Sequence, residues 1–455
     1  MIEPKKISFL AAVLMNINII VGSGIYIFPQ LMTHQAGGIS FLGWALAGLL
    51  LLPIVITIAQ AARIFPGEGG FYNYCTTALG QDVGFIANWA YLIGYMGTVA
   101  TLVSVIRDRL ISPVGLSMVK DHPFLFYLMF MLFLSLLNMI SIRMIGKIQS
   151  TITVLKLVPL LFMLGAIFFY WNPSFDYQIG NIGFLPGTVP LVLFSFLGFE
   201  SCCSISHYIR GGSTKAFKVI LLAFSIAVLL YTVFHLGILH IMGSDALAAQ
   251  GVQSFPRFMG FSDAIANLCA VVLLIDMMLS FMNTSYGASL TNITNINTFA
   301  KCGLIFQSKF LKKLNANGMP ANAALVHSVA IVGLILFIPS TTTLSAITCL
   351  GVCTTFLLTV LAVFVQSRRK KMYGTLAVTL LGFISLGILF FLTWTTKLGD
   401  TTAERLLYAT PMLIGIPAGY LMYRFLHRRK RKHIDVPVLA PEQAAEQMVL
   451  LEEEQ

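Results

Sequence analysis

Three small residues, Gly22-Ser23-Gly24, interrupt an apolar segment that runs from about residue 7 to residue 33. In hydrocarbon, a backbone N–H or C=O group without a partner is costly, so a break survives only where it is buried in protein or lines a watery cavity. The half-helix after a break presents N–H groups that attract a carboxylate, and the unwound carbonyls attract a cation. The motif therefore predicts a binding site; the alternative is a glycine kink that lets two helices pack closely.

A second apolar segment, at about 188–208, has a similar interruption. It opens among prolines, carries Gly198 close to Glu200, and continues in the small polar run 201–204. Two interrupted helices five spans apart are expected when a five-helix unit is repeated in inverted orientation. The sequence therefore predicts an inverted repeat with one broken helix in each half, and here too a glycine kink is the alternative.

Three ionisable side chains, Lys156, Glu200 and Asp276, lie inside apolar spans, where a charge costs about 2.5–3.5 kcal/mol on insertion scales. Glu200 could accept hydrogen bonds from the unwound backbone beside it. Asp276 could pair with a cationic substrate, sense protons or bond to a neighbouring helix. Lys156 lies about 13 Å beyond Lys147 along a helix, which is awkward for a side chain that must reach the membrane surface. It is therefore either a functional group or a structural lysine bonded to first-helix carbonyls.

The elements that carry these residues are membrane-spanning helices. The chain of 455 residues is 57% hydrophobic and 10% charged, with a mean hydropathy of +0.85, which excludes a soluble domain. A span needs about 20 apolar residues. Twelve segments qualify: 7–33, 40–63, 84–106, 124–142, 148–171, 188–208, 216–242, 264–298, 321–339, 343–366, 374–394 and 406–426.

The basic residues indicate orientation rather than nucleic-acid binding, because they are divided among short loops. With the N-terminus in the cytoplasm, 22 of the 29 Lys and Arg residues fall on the cytoplasmic side, as the positive-inside rule requires. The first span is longer than the apolar core of a signal peptide, about 7–15 residues, so we expect it to be retained. These patterns predict an integral protein of the plasma (inner) membrane in contact with the lipid bilayer, with both termini cytoplasmic.

Enzyme chemistry has no candidate constellation of residues. The seven cysteines lie in spans or on the cytoplasmic side, where the reducing environment predicts no disulfides. No His or Cys set has the spacing of a tetrahedral metal site, so we expect no metal, no cofactor and no catalytic residues. The tail at 428–455 turns from basic to acidic and is typical of a disordered cytoplasmic extension.

Four ordered motifs resemble the amino acid–polyamine–organocation (APC) superfamily of amino acid permeases, and among its branches the basic amino acid/polyamine antiporters are nearest in motif. The resemblance covers about residues 7–427. Its motifs are Gly22-Ser23-Gly24-Ile25 with Pro29, the loop at 66–74, the sixth-helix run 194–201, and the loop at 315–320.

The resemblance implies an all-α LeuT-like fold of twelve transmembrane helices, with helices 1 and 6 broken and alternating access to a site at the membrane midplane. A transporter domain would occupy 1–427, followed by the tail. Within the domain, inverted repeats would span about 7–171 and 188–366, and two extra helices would lie at about 374–426.

The resemblance also assigns roles at the two breaks. Backbone groups of the first helix would bind the substrate carboxylate, and backbone carbonyls of the sixth would bind its ammonium group. Gly22, Gly24 and Gly198 would permit the breaks. The carboxylate-binding residues would be Ser23, Gly24 and Ile25, and the ammonium-binding residues would be Phe194, Phe196 and Leu197.

Two positions depart from the arginine and agmatine exchangers of this superfamily. Phe194 stands where they carry a gating tryptophan; its ring could close over the substrate and stack on a cation, or could be apolar filler. Thr98 occupies the side-chain-binding place of an asparagine, which argues against arginine as the substrate.

The family pattern gives coupling roles to two of the three buried ionisable residues, Glu200 and Lys156. The counterpart of Glu200 is a gate residue that responds to protonation and substrate. In sodium-independent members, a fifth-helix lysine takes the place of the sodium ion, which points to Lys156. Its ammonium could also load and release a proton during the transport cycle.

The sequence thus predicts a secondary transporter of amino acids or related amines, sodium-independent and driven by protons or by exchange. The alternatives are a sodium-coupled symporter and a non-transporting sensor of the same fold. A sensor would be expected to carry a sizeable signalling domain, and this chain has only a short tail. No acidic pocket demands a cationic substrate and no midplane arginine demands a second carboxylate, so the residues leave the substrate open, as they do the oligomeric state.

Overall fold

The computed structural model describes residues 6–22, 24–67, 69–111, 114–169, 182–396 and 401–429, and all regular elements within these ranges are helices. Ser23 and residues 430–455 of the predicted tail lie outside them. The α-helices are α1 Phe9–Ile20, α2 Gly24–Ala36, α3 Leu42–Ile64, α4 Phe71–Leu79, α5 Gln81–Ile111, α6 Ser117–Asp121, α7 Pro123–Asn138, α8 Ile142–Phe169, α9 Leu185–Phe196, α10 Gly212–Met242, α11 Ser244–Gln250, α12 Asp263–Lys301, α13 Ser308–Leu311, α14 Ala321–Phe337, α15 Thr341–Arg369, α16 Tyr373–Thr396 and α17 Thr402–Arg429.

Helices lie at all twelve positions where the sequence predicts spans. Among the described residues, seven helices are long and apolar enough to cross a membrane, namely α3, α5, α8, α10, α12, α15 and α16. The number becomes nine if each of two bent helix pairs is counted as one span. Helices α7 and α14 are apolar but shorter, so the count of twelve spans stays a prediction.

The first predicted span consists of two helices. Helix α1 ends at Ile20 and α2 begins at Gly24, and the two segments are inclined at 41°. The N-terminal end is anchored, because the Ile7 N–H donates to the Tyr208 carbonyl at 2.8 Å and the Arg210 N–H donates to the Ile7 carbonyl at 2.9 Å.

The second predicted break differs from a simple pair of half-helices. Helix α9 ends at Phe196, Leu197 is extended, and Gly198 has a φ of +121°, a region that favours glycine. No α-helix resumes before Gly212 in the described chain; the segment continues as 3₁₀ turns at Ser201–Cys203 and Ser206–Tyr208. The sequence shows the interruption at Gly198 but not these turns, because residues 201–208 contain no glycine or proline that would predict a departure from the α-helix.

Close packing of α5 against α15 forms the centre of the bundle. A Cβ atom on Gly97 would lie only 2.7 Å from the Leu344 carbonyl oxygen, and one on Gly351 would lie 2.6 Å from the Ala90 carbonyl oxygen. Small residues on both faces therefore let the two backbones approach, as at many helix contacts in membranes. Helix α5 of this pair contributes Tyr95, Thr98 and Leu102 to the lining of the cavity described next.

Candidate functional site

The two breaks lie against each other. The Tyr231 hydroxyl of α10 donates to the Ile20 carbonyl at the end of α1 at 2.7 Å and lies 3.3 Å from the Ser195 carbonyl of α9. Gly24, the first residue of α2, has no room for a side chain, because a Cβ atom there would overlap the Ser195 side chain. The start of α2 therefore faces the end of α9 directly.

Each helix end leaves backbone groups without partners inside its own helix. The first N–H groups of α2, which include those of Gly24 and Ile25, point out of the helix start, and the last carbonyls of α9, which include that of Phe194, point out of its end. N–H groups at a helix start favour a carboxylate, and carbonyls at a helix end favour a cation. The arrangement offers both kinds of group at one place.

The carbonyls at the end of α1 are occupied by Lys156. Its ammonium, fully buried on α8, donates to the carbonyls of Asn18 at 2.9 Å and Val21 at 2.5 Å, and to the Asn18 side-chain oxygen at 2.8 Å. An ammonium has three N–H donors, and all three have acceptors here. A cation is thus held by the unwound end of the first helix.

A polar face of α12 completes this environment. The Ser280 hydroxyl lies 3.3 Å from the Val21 and Gly22 carbonyl oxygens, and the Thr284 hydroxyl donates to the Asn18 carbonyl at 3.0 Å. One turn earlier, Asp276 accepts a hydrogen bond from the Tyr26 hydroxyl of α2. The helix therefore contacts both sides of the first break.

Glu200 stabilises the second break. Its carboxylate accepts the Gly198 N–H at 2.9 Å and the Tyr95 hydroxyl of α5 at 2.8 Å, and the side chain is fully buried. The bond from the Gly198 N–H is a local contact with unwound backbone, which the sequence offers as one possibility for Glu200. The bond to Tyr95 is a long-range contact that links the break to α5.

Asn16 joins α1 to the segment after the second break. Its side-chain N–H donates to the Phe199 carbonyl at 2.8 Å, and its side-chain oxygen accepts from the Ser201 hydroxyl at 3.0 Å. All three residues are buried. Two hydrogen bonds therefore connect α1 to the segment that follows Gly198.

A small cavity lies between the breaks. Its open space is about 20 Å³, little more than the 10–15 Å³ or so that one water molecule needs, so the site is closed in this conformation. Its lining contains no ionisable carboxyl, amine, guanidinium or imidazole group. The lining residues are Ile19, Ile20, Gly22, Gly24, Tyr95, Thr98, Leu102, Phe194, Ser195, Leu197 and Thr284.

Several predicted site residues thus come together. Gly22, Gly24, Thr98, Phe194 and Leu197 line the cavity. Ile25 and Phe196 do not line it, and their side chains are buried; the Phe196 ring packs edge-on against Trp44, with centroids 5.8 Å apart. Lys156, Glu200 and Asp276 lie around the cavity rather than in its lining. The predicted roles of all these residues remain proposals.

Sequence reasoning missed Tyr231, Ser195, Ser280 and Thr284. The last two could have been found, because Asp276, Ser280, Asn283 and Thr284 have the spacing of one helix face. Tyr231 had no comparable signal, because no predicted site residue lies on its helix, α10. Within the described ranges, no group of three or more His, Cys, Asp or Glu side chains could hold a metal ion.

Comparison with known proteins agrees with this architecture. A family model described as "Amino acid permease" matches residues 7–417. The serine/threonine exchanger SteT of Bacillus subtilis is 22% identical over 452 residues, covering 94% of this chain and 98% of the relative. The branched-chain amino acid permease BcaP of Lactococcus lactis is 24% identical, with 92% and 94% covered.

The aromatic amino acid transport protein AroP of Corynebacterium glutamicum is 23% identical over 342 residues, covering 69% of this chain and 70% of the relative. These relatives are transporters rather than enzymes. Since the family model matches most of the chain and several helices are able to span a membrane, the chain is a multi-pass membrane protein that belongs to the amino acid permease family of the amino acid–polyamine–organocation superfamily.

Proposed function

We propose that this protein is a sodium-independent secondary transporter that carries neutral amino acids by alternating access. The observation that carries the proposal is the cavity between the two breaks. It combines helix-start N–H groups for a carboxylate with helix-end carbonyls for an ammonium group, in a lining of neutral side chains.

The charges around the cavity support a neutral substrate side chain. Lys156 bonds to α1, Glu200 to Tyr95 and Gly198, and Asp276 to Tyr26. A charged substrate side chain would enter a site whose fixed charges are already paired, and burying a charge without a partner is costly. We therefore favour neutral amino acids over the basic substrates of the branch that is nearest in motif.

The names of the relatives agree with this choice. They describe serine and threonine, branched-chain and aromatic substrates, which are all neutral amino acids. The small size of the closed cavity and the hydroxyls of Thr98, Ser195 and Thr284 favour small side chains, including hydroxylated ones.

The position of Lys156 supports sodium independence. Its ammonium already supplies the positive charge at the unwound carbonyls of α1, where a bound cation would otherwise be needed. We propose that the driving force is a proton gradient or substrate exchange, that Glu200 acts as the gate residue, and that Phe194 closes over the substrate.

We propose the architecture that the sequence predicts, with twelve spans and inverted repeats at about 7–171 and 188–366. The protein would lie in the plasma membrane with both termini in the cytoplasm. The backbone groups of Ser23, Gly24 and Ile25 would bind the carboxylate. The carbonyls of Phe194, Phe196 and Leu197 would bind the ammonium group.

Uptake into proteoliposomes tests the function. Labelled serine, alanine, leucine, phenylalanine, arginine and glutamate would be compared in vesicles with and without the unlabelled compound inside, with sodium or choline outside and with or without a proton gradient. We expect uptake of small neutral amino acids that is the same in sodium and in choline. Uptake that requires sodium would overturn the coupling proposal, and saturable binding without any transport would indicate a sensor instead.

A further inference from the structure

A basic cleft lies away from the central cavity, where the N-terminal segment meets the start of α8. It has a volume of about 470 Å³ and is lined by Lys6, Arg143, Lys147 and Arg210, together with hydroxyl and apolar groups. The cations come from three separate parts of the chain. We propose that this cleft binds the phosphate of an anionic membrane lipid.

The fold itself holds the four cations together. The paired hydrogen bonds between Ile7 and residues 208 and 210 join the two segments that carry Lys6 and Arg210, and both residues line the cleft. Arg143 and Lys147 are separated by one turn of α8 and therefore share a face. Four cations that line one cleft repel each other, so an anion bound between them would relieve the repulsion.

No carboxylate of the described residues neutralises this group. Two ion pairs of the described residues, Arg107–Asp108 and Arg424–Asp82, lie outside the cleft. None of the described residues that line the cleft is acidic. The first turn of α8 likewise has no acidic residue, although the positive end of a helix dipole favours negative charge. Arg and Lys are the side chains that bind phosphate oxygens, so the missing partner is an anion.

Ser150 provides a second, independent observation. Its hydroxyl oxygen is buried without a hydrogen-bond partner in the described part of the chain, and the residue lines the cleft. A buried hydroxyl without a partner is unfavourable, and a change of the Ser150 χ1 rotamer toward the cleft would let a phosphate oxygen accept its hydrogen. The cleft thus offers both charge and a hydrogen-bond donor.

The surface beyond the cleft identifies the anion as a lipid rather than free phosphate. From Lys147 and Thr151, the same face of α8 continues with Val154, Val158 and Leu161, which are between 49% and 58% exposed. This spacing follows one side of the helix. A headgroup in the cleft would therefore have its acyl chains along an apolar strip, the arrangement expected for basic pockets at the ends of membrane helices.

Lipid binding to the purified full-length protein tests the proposal without reference to transport. Native mass spectrometry would measure bound dioleoylphosphatidylglycerol and dioleoylphosphatidylcholine, and melting temperature would be recorded with each. The test variant is Arg143→Gln/Lys147→Gln, and the matched control is Lys312→Gln/Lys313→Gln, which removes two exposed cations elsewhere. Arg143→Lys/Lys147→Arg keeps the charge and checks folding.

We expect the test variant to lose most phosphatidylglycerol binding, by about tenfold, which corresponds to about 1.4 kcal/mol, while the control and the charge-preserving variant retain it. Ser150→Ala should weaken binding to a smaller degree. Equal binding by the test variant and the control would overturn the proposal. A melting shift with millimolar inorganic phosphate but none with phosphatidylglycerol would make the site one for free anions and refute the lipid assignment.

Carboxylates of the chain itself are the rival occupants, since Glu3 and Glu452 to Glu454 lie in sequence segments outside the described ranges. Glu3→Gln and a truncation after residue 429 separate this case. If phosphatidylglycerol binds only after one of these changes, the cleft belongs to that segment and the proposal is wrong. If binding is unchanged, the lipid assignment stands.

Discussion

The ammonium nitrogen of Lys156 lies 2.9 Å from the backbone carbonyl oxygen of Asn18 and 2.8 Å from the side-chain oxygen of the same residue. A side chain of α8 thus holds the last turn of α1 by its backbone and its side chain at once. The Asn18 side-chain N–H is itself fixed, because it donates to the Asn283 carbonyl of α12 at 2.9 Å. Asn18 therefore links three helices, namely its own helix α1 with α8 and α12.

Replacing Lys156 by alanine should lower transport by tenfold or more, with little change in the amount of protein in the membrane. The change leaves the Val21 carbonyl with only the longer Ser280 contact, and an unsatisfied buried acceptor costs about 1–3 kcal/mol. Uptake per molecule of protein measures the effect. Lys312→Ala, at an exposed lysine that lines neither the cavity nor the basic cleft, is the control. Normal transport with unchanged pH dependence in Lys156→Ala would make Lys156 purely structural.

Gly24→Ala should weaken substrate binding, and Gly24→Val should abolish it, because a Cβ atom overlaps the Ser195 side chain and a larger side chain also covers the N–H groups of the helix start. Overpacking of this kind costs about 1–3 kcal/mol. Ser195→Gly removes the overlapping atoms. The double variant Gly24→Ala/Ser195→Gly should therefore bind more tightly than Gly24→Ala alone in calorimetry; affinity that is unchanged in Gly24→Val would exclude the assigned site.

Tyr231→Phe should weaken substrate binding as well as thermal stability, since it removes the hydroxyl that joins the two breaks and leaves the Ile20 carbonyl with only the Gly22 N–H as a donor among the described residues. The expected loss of stability is about 0.5–1.5 kcal/mol, the net contribution of one hydrogen bond. Tyr286→Phe is a matched control, because the Tyr286 hydroxyl donates to the Leu137 carbonyl at 2.9 Å, away from the cavity. Melting temperature should fall in both variants, but affinity only in Tyr231→Phe. A fall in affinity of equal size in both would argue against a special role for Tyr231.

Thr98→Val should reduce the transport of serine more than that of alanine. The Thr98 hydroxyl lines the cavity and lies 3.4 Å from that of Thr348, so it is placed to bond with a hydroxylated substrate. One hydrogen bond contributes about 0.5–1.5 kcal/mol, equal to a change of roughly two- to twelvefold in the serine-to-alanine ratio. Thr101→Val, which is not part of the lining, should leave the ratio unchanged, and an unchanged ratio in Thr98→Val would show that Thr98 does not contact the substrate hydroxyl.

The sequence was sufficient to locate positions at which helices end and begin, because backbone chemistry is local. Gly22, Gly24 and Gly198 mark positions where a helix in an apolar environment becomes irregular, and helices end or begin close to each of them in the structure. The buried charges were equally visible, since an ionisable side chain in an apolar span is conspicuous in the sequence. Composition and periodicity also predicted the all-helical class.

The partners of these residues were beyond the sequence because they come from distant segments. Tyr95 and Glu200 are 105 positions apart, and Tyr26 and Asp276 are 250 apart. Neither helical periodicity nor residue propensity indicates which residues meet across such separations in the sequence. The 3₁₀ turns after Gly198 were missed for a related reason: their geometry depends on the Glu200 and Asn16 contacts, which only the folded chain creates.

The hydrogen bonds of Asn16 have a mechanical consequence. Since one side chain bonds to Phe199 and Ser201 together, pulling α1 away from the segment after Gly198 would expose two buried polar contacts at once, at a cost of the order of 1–3 kcal/mol for each group left unpaired. If α1 and the segment after Gly198 move together, both hydrogen bonds of Asn16 are kept. An opening movement at this end would therefore keep α1 and the segment after Gly198 together. Its cost would fall instead on the bonds from this pair to other helices, such as that between Glu200 and Tyr95 of α5.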